Sequence, residues 1–159
     1  MKYFFFYACI ALSSCKTTTY YIVRHAEKEA ATSMVTDVPL TAAGTQRAAA
    51  LKDSLDNKVS NLFSTDFVRT RSTAAPLVIA GTRDLVIYSP VDTGFVTRLK
   101  AMNKKGILIV GHSNTVDNLV NELLGRTELS DLPETQYGDL FIVKKKKGNY
   151  TFSRSRFGN

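Results

Sequence analysis

Tyr20-Tyr21-Ile22-Val23-Arg24-His25 decides how this chain folds, because an apolar run of strand type ends abruptly in a guanidinium and an imidazole. Four such residues suit a strand buried on both faces, and a charged pair is tolerated only where that strand leaves the core. A second stretch repeats the pattern: Gly106-Ile107-Leu108-Ile109-Val110-Gly111 leads into His112. The chain of 159 residues holds only two histidines, and both stand at the end of such a run. Working outward, strand candidates cover residues 19–24, 59–64, 85–89, 106–111 and 139–145. Helical patterns lie between them at 41–55 with Thr41 as N-cap, at 67–79 with Pro76 inside, at 93–103, and at 114–124 with Gly125 as the stop. This alternation predicts an α/β fold, a three-layer αβα sandwich with a mostly parallel sheet and helices on both faces. Lys144 to Lys147 lead to Gly148-Asn149, which reads as a turn before a last antiparallel strand, YTFSRSRF. The lysine run reads as a solvated hairpin tip, with contact to anionic lipid as the functional alternative.

Composition narrows the classes. A chain of this length forms one domain, and a hydrophobic fraction of 44% is ordinary for a packed core. The formal charge of +7 favours an anionic partner, but the basic residues are scattered rather than gathered on one helix or arm, which argues against nucleic acid.

The first fifteen residues, MKYFFFYACIALSSC, differ from the rest. One lysine precedes an apolar stretch that matches the roughly 7 to 15 residues of a signal-peptide core and falls short of the roughly 20 that span a bilayer. Leu12-Ser13-Ser14-Cys15 resembles the lipobox of bacterial lipoprotein precursors, whose cysteine is acylated. The expectation is a signal peptide over 1–14, a lipidated Cys15 with a short tether over 15–19, and a domain over 20–159. It implies a bacterial envelope protein held to a membrane by lipid and facing the periplasm or exterior. The alternative is a core strand that opens the protein, which three adjacent phenylalanines beside a terminal lysine suit less well. With Cys9 removed and Cys15 acylated, no thiol remains for a disulfide, a metal or nucleophilic attack.

In a parallel sheet, ligands bind beyond the carboxyl ends of the strands. If the strands ending in His25 and His112 are neighbours, the imidazoles meet in one crevice with Arg24 beside them. STDFVRTRSTAA, residues 64–75, enters a helix from a strand end and puts Arg69 in its opening turn. Ser113, Asn114 and Thr115 after His112 are helix starters, so a second helix N-terminus points the same way. Two arginines, two histidines and two helix starts describe a cradle for a tetrahedral dianion such as a phosphoryl group. Cationic surroundings lower an imidazole pKa and keep one ring nitrogen free to attack phosphorus.

These segments resemble the histidine phosphatase superfamily, whose fold is that of cofactor-dependent phosphoglycerate mutase. Arg24-His25-Ala26-Glu27 is similar to its Arg-His-Gly signature, and LTAAGTQRA, STDFVRTRSTA and GHSNTV are similar to its later segments in order and spacing. The resemblance implies His25 as nucleophile, Arg24 and Arg69 as phosphate ligands, and His112 as a ligand steadying the transferring group, with Ser113 and Asn114 beside it. Arg71, turned away by helical spacing, reads as a surface residue. Three departures stand out. Ala26 replaces the glycine, which argues for a negative φ there. Ala31 stands where mutase-like members carry an asparagine, with Lys28 or Ser33 as possible substitutes. The glutamate expected after the third strand is absent, leaving Asp92 as candidate general acid against an N-cap reading, with Glu27 and Glu134 behind it.

Residues 90–106 leave no room for a lid, so the chain resembles the short phosphohistidine phosphatase branch. The expected activity is hydrolysis of phosphate esters or phosphoramidates through phosphohistidine, on a small phosphorylated molecule or a phosphoprotein, with no cofactor and no metal. The alternatives are a phosphate-binding pseudoenzyme, a phosphoglycerate mutase-type phosphotransferase, and a metal protein built on the histidine pair. Two histidines without thiols make a poor metal shell.

Overall fold

A computed structural model describes residues 17–79 and 81–158, so Cys9, Cys15 and the expected signal segment lie outside the described residues. The elements run β1 (Thr18–Arg24), α1 (Ala42–Leu55), β2 (Asn61–Ser64), α2 (Val68–Ala74), β3 (Leu85–Ile87), α3 (Phe95–Ala101), β4 (Gly106–Gly111), α4 (Ser113–Leu124), β5 (Asp139–Lys146) and β6 (Asn149–Arg156). One sheet in the order β3-β2-β4-β1-β5-β6 forms the middle layer.

The apolar runs are continuous because both faces are covered. In β1, Tyr20 and Ile22 enter a core with Ile107 and Ile109 of β4, closed by Phe95 and Leu99 of α3 and by Val116, Val120 and Leu123 of α4. Val23 faces the other way, with Leu108 and Val110, onto Leu51 and Leu55 of α1 and Ala74 of α2. Side chains alternate across a strand, so adjacent residues feed opposite cores, and each fully buried Leu or Ile contributes roughly 1.5–3 kcal/mol. The expected three-layer sandwich is observed.

Local signals set the helix ends. Thr41 caps α1, its hydroxyl accepting from Gly44 N at 3.0 Å. Gly44 itself is required by closeness: a Cβ there would lie 2.1 Å from the Glu27 carbonyl oxygen, so the first turn of α1 packs directly on the strand-end loop. The second helical pattern is shorter than 67–79, because Pro76 falls in a 3-10 turn at Ala75–Leu77 that follows α2.

The sheet is mostly parallel, as expected; β5 alone runs against the rest, pairing Thr18 with Lys145 and Ile22 with Phe141, and β6 is antiparallel to it. The helix α4 carries the chain down the sheet, and residues 126–138 climb back without a strand, so β5 is entered from the crevice end. One expectation is corrected. The hairpin turn is centred on Lys147 and Gly148, at φ 52° and 81°, rather than on Gly148-Asn149. Asn149 pairs with Lys146, and Val143 with Phe152. A two-residue hairpin of this hand needs positive φ at both central positions, and a slip of one residue would turn every β6 side chain to the wrong face.

Candidate active site

The two histidine-bearing strands are parallel neighbours, with Arg24 opposite Gly111, so His25 and His112 leave the sheet side by side. Their ring centroids are 5.6 Å apart at an interplanar angle of 68°. His25 N donates to Gly111 O at 2.9 Å, locking the two strand ends together.

The protonation of each ring follows from its partners. His25 is 3% exposed, and its Nδ1 lies 2.7 Å from the carbonyl oxygen of Ala26. A carbonyl only accepts, so Nδ1 carries the hydrogen and the lone pair of the neutral ring sits on Nε2. Burial, then the charges of Arg24, His112 and Arg69, lower the His25 pKa to about 4 against the pull of Ala26, so the ring is neutral near pH 7. At His112, Nε2 is 2.9 Å from Thr65 Oγ1. Thr70 spends its hydroxyl hydrogen on the Thr65 or Phe67 carbonyl, and Thr65 donates to Thr70 Oγ1 at 3.0 Å. Thr65 therefore accepts from His112 Nε2, which leaves the Nδ1 lone pair turned toward Arg69 Nη2 at 3.5 Å. Burial and the two arginines hold the His112 pKa to about 4 as well.

The arginines differ. Arg24 is 5% exposed; its Nη1 donates to the carbonyls of Pro133, Glu134 and Gln136, and its Nη2 to Glu134 Oε2 at 2.8 Å. Its guanidinium also lies over Tyr137, 4.4 Å from the ring centre. Arg69 sits over Phe67 at 4.3 Å, with Asp37 3.5 Å from its Nη1. Nε of Arg24 and Nε of Arg69 are buried with no hydrogen-bond partner among the described residues, and Nη1 of Arg69 has only its ion pair with Asp37. Such donors cost about 1–3 kcal/mol each when left unmatched, and an anion in the crevice would use them.

Of the expected site residues, His25, Arg24, Arg69 and His112 are brought together, and Ser113 joins them by donating to Glu134 Oε1. Asn114 is turned to a neighbouring hollow of about 220 Å³, which Asp92 and Tyr88 also line. Asp92 bonds to Arg98 and to Gly94 N at 2.9 Å, which makes it a turn and ion-pair residue outside the histidine cluster. Glu27 is claimed by Arg47 at 2.7 Å, and Arg71 pairs with Asp66 at the surface. Ala26 has no positive φ; its N–H donates to Thr73 Oγ1 at 2.9 Å. Lys28 bridges Leu40 through its backbone, and Ser33 is exposed. Sequence reasoning did not single out Thr65, Asp37 or Tyr137. Thr65 stands in the quoted Arg69 segment, and its place beside a strand end was the available signal; Asp37 and Tyr137 lie in loops with none. Among the described residues no group of three or more His, Cys, Asp or Glu could hold a metal ion, and no helix is long and apolar enough to cross a membrane.

The family model of the histidine phosphatase superfamily (branch 1) matches residues 20–87, the span from β1 through the Arg69 segment to β3. Over that span, less than half of the chain, the sequence is similar to that superfamily, and the whole fold is similar to that of solved phosphatases. The fold is similar to that of the protein histidine phosphatase SixA complexed with tungstate, at a TM-score of 0.65 and 18% identity over 87% of this chain and 96% of that one. It is similar to the alpha-ribazole phosphatase from Shigella flexneri, at 0.64 and 17% over 85% and 94%. It is also similar to the phosphoserine phosphatase from Entamoeba histolytica in complex with 3-phosphoglyceric acid, at 0.59 and 16% over 89% and 97%. No curated protein matches the chain by sequence. At these identities the histidine phosphatase likeness to solved structures is one of fold.

Proposed function

We propose that the protein is a phosphatase that hydrolyses phosphate esters or phosphoramidates through a phosphohistidine on His25. The observation that carries this reading is the Nδ1 hydrogen bond of His25 to Ala26, which leaves Nε2 unprotonated beside two arginines with unmatched donors. The Nε2 lone pair attacks phosphorus while the bond from phosphorus to the leaving oxygen or nitrogen breaks. Water then attacks the phosphohistidine, returning His25 and inorganic phosphate. Arg69, with the free Nε of Arg24, neutralises the equatorial oxygens, and most of the barrier lowering comes from that fixed charge. Arrival of a dianion favours protonation of His112 Nδ1, which then donates to a phosphoryl oxygen.

Glu134, held ionised at the rim by Ser113 and Arg24, suits acceptance of a proton from the attacking water better than donation to the leaving atom, and with Asp92 on Arg98 no protein acid is assigned to the leaving group. Leaving groups that need no proton from the protein fit the site best, such as an aryl oxygen or a phosphoramidate nitrogen already protonated from solvent. The lipoprotein reading belongs to the same proposal: signal peptide over 1–14, acylated Cys15, and a domain over 20–159 held at a bacterial envelope membrane. A burst of phosphoenzyme in rapid quench with a labelled phosphoramidate tests the mechanism. It is expected in wild type and absent in His25→Ala; an active His25→Ala refutes it, and binding without any burst supports the pseudoenzyme.

A further inference from the structure

The end of the sheet opposite the crevice carries a concentration of lysines. Thr18 pairs with Lys145 and Thr19 with Lys144, so β5 ends beside the start of β1. Thr19 N donates to Lys105 O at 3.3 Å, which places the loop before β4 at the same end. Lys58, Lys104 and Lys105 line a groove of about 690 Å³ together with Thr17 and Thr19. These three, with Lys144, Lys146 and the turn residue Lys147, are all exposed. Of the carboxylates toward this end, Asp56 is paired with Arg83, while Asp53 and Asp84 belong to α1 and to the edge before β3. Thr17, the first described residue, lies in the groove, and the sixteen residues before it include the apolar stretch and Cys15.

We propose that this lysine-bearing end rests on an anionic phospholipid surface and keeps the histidine crevice pointed away from the bilayer. Charge complementarity supplies the attraction: each lysine close to an anionic surface strengthens partition roughly fivefold, and six are displayed around the point where the chain departs. The strands are about 20 Å long, so the crevice stands at least that far from the lipid headgroups. The substrate is then a phosphorylated molecule in solution rather than a lipid headgroup. This deepens the phosphatase reading, and the anchor at Cys15 matters only for bringing the domain to the membrane.

The test uses the full chain with vesicles of phosphatidylcholine, alone or mixed with phosphatidylglycerol. Lysine reactivity toward a water-soluble acylating reagent is followed residue by residue by mass spectrometry. Lys104, Lys105, Lys144, Lys146 and Lys147 are expected to react roughly three- to tenfold more slowly on the mixed vesicles, an effect that fades as salt shortens the screening length. Lys28, beside the crevice, is expected to react equally on both. Equal reactivity of the five on both vesicles overturns the proposal, as does protection of Lys28. The same protection by a DNA duplex at equal charge overturns the assignment to lipid. Flotation with neutral vesicles reads the anchor separately. If the chain floats with neither vesicle, the anchor reading fails, and the lysine surface is judged by low-salt sedimentation with mixed vesicles. There, Lys104→Glu/Lys105→Glu/Lys146→Glu/Lys147→Glu is expected to bind at least about tenfold more weakly than wild type with an unchanged melting midpoint. Equal binding overturns it.

Discussion

Glu134→Gln separates two things that the carboxylate can do. Its Oε2 lies 2.8 Å from Arg24 Nη2, and its Oε1 accepts from Ser113, so a resident anion sits on donors facing the crevice. A bound phosphoryl dianion must coexist with it or displace it. The side chain is 76% exposed, so the repulsion is scaled by water rather than by the protein interior. A single charge about 4 Å from a dianion then costs roughly 2 kcal/mol, and about half that with salt screening. The glutamine removes the charge and keeps the shape, so phosphate or tungstate should bind about five- to thirtyfold tighter, read as a competitive inhibition constant. The Ser113 hydrogen bond, ahead of Arg24, holds the Glu134 carboxyl below its ordinary 4.5. The gain should therefore persist across neutral pH and disappear only as acid protonates the wild-type carboxylate. Unchanged or weaker anion binding in the variant refutes the reasoning. Proton acceptance from water is read in the same variant: the phosphoenzyme should form in a normal burst and hydrolyse more slowly than in wild type.

Arg69→Ala should lower kcat/KM by roughly 10² to 10³, whereas Arg71→Ala, paired only with Asp66 at the surface, should stay within about twofold; steady-state kinetics on one substrate compares them. Because the folded His25 pKa is lowered from 6.5 to about 4, the fold prefers the neutral ring. Its contribution is complete above pH 6.5 and is lost as pH falls toward 4, an order of 3 kcal/mol at most, read as a falling urea midpoint that His25→Asn makes shallower, with His112 supplying the remaining slope. Gly44→Ala should destabilise by about 1–3 kcal/mol or more in thermal unfolding, since its Cβ would meet the Glu27 carbonyl oxygen at 2.1 Å.

The sheet was legible because its signals are local and repeated. Apolar runs that feed two cores cannot be mistaken for alternating half-buried strands, and Thr41 and Gly125 mark helix ends with residues whose chemistry requires those places. The meeting of His25 and His112 followed from one topological assumption, that their strands are neighbours. What escaped the sequence came from the stretch between α4 and β5. Its residues carry no periodicity, so neither the antiparallel entry of β5 nor the arrival of Glu134 and Tyr137 beside Arg24 could be read from spacing. Asp92 misled because an aspartate before a short helix looks the same in sequence whether it serves a turn or a substrate; only Arg98, six residues on, separates the cases.

Arg24 has one further consequence. A single guanidinium gathers the carbonyls of residues 133, 134 and 136 onto the strand that leads into His25, so this rim is fastened to the centre of the sheet. Peeling the rim back would strand a buried cation, and the exposed Glu134 carboxylate adds a tie of its own through Arg24 and Ser113. An entrance held this way keeps Arg24 as a fixed charge beside His25, so attraction of an anion there needs no rearrangement of the rim.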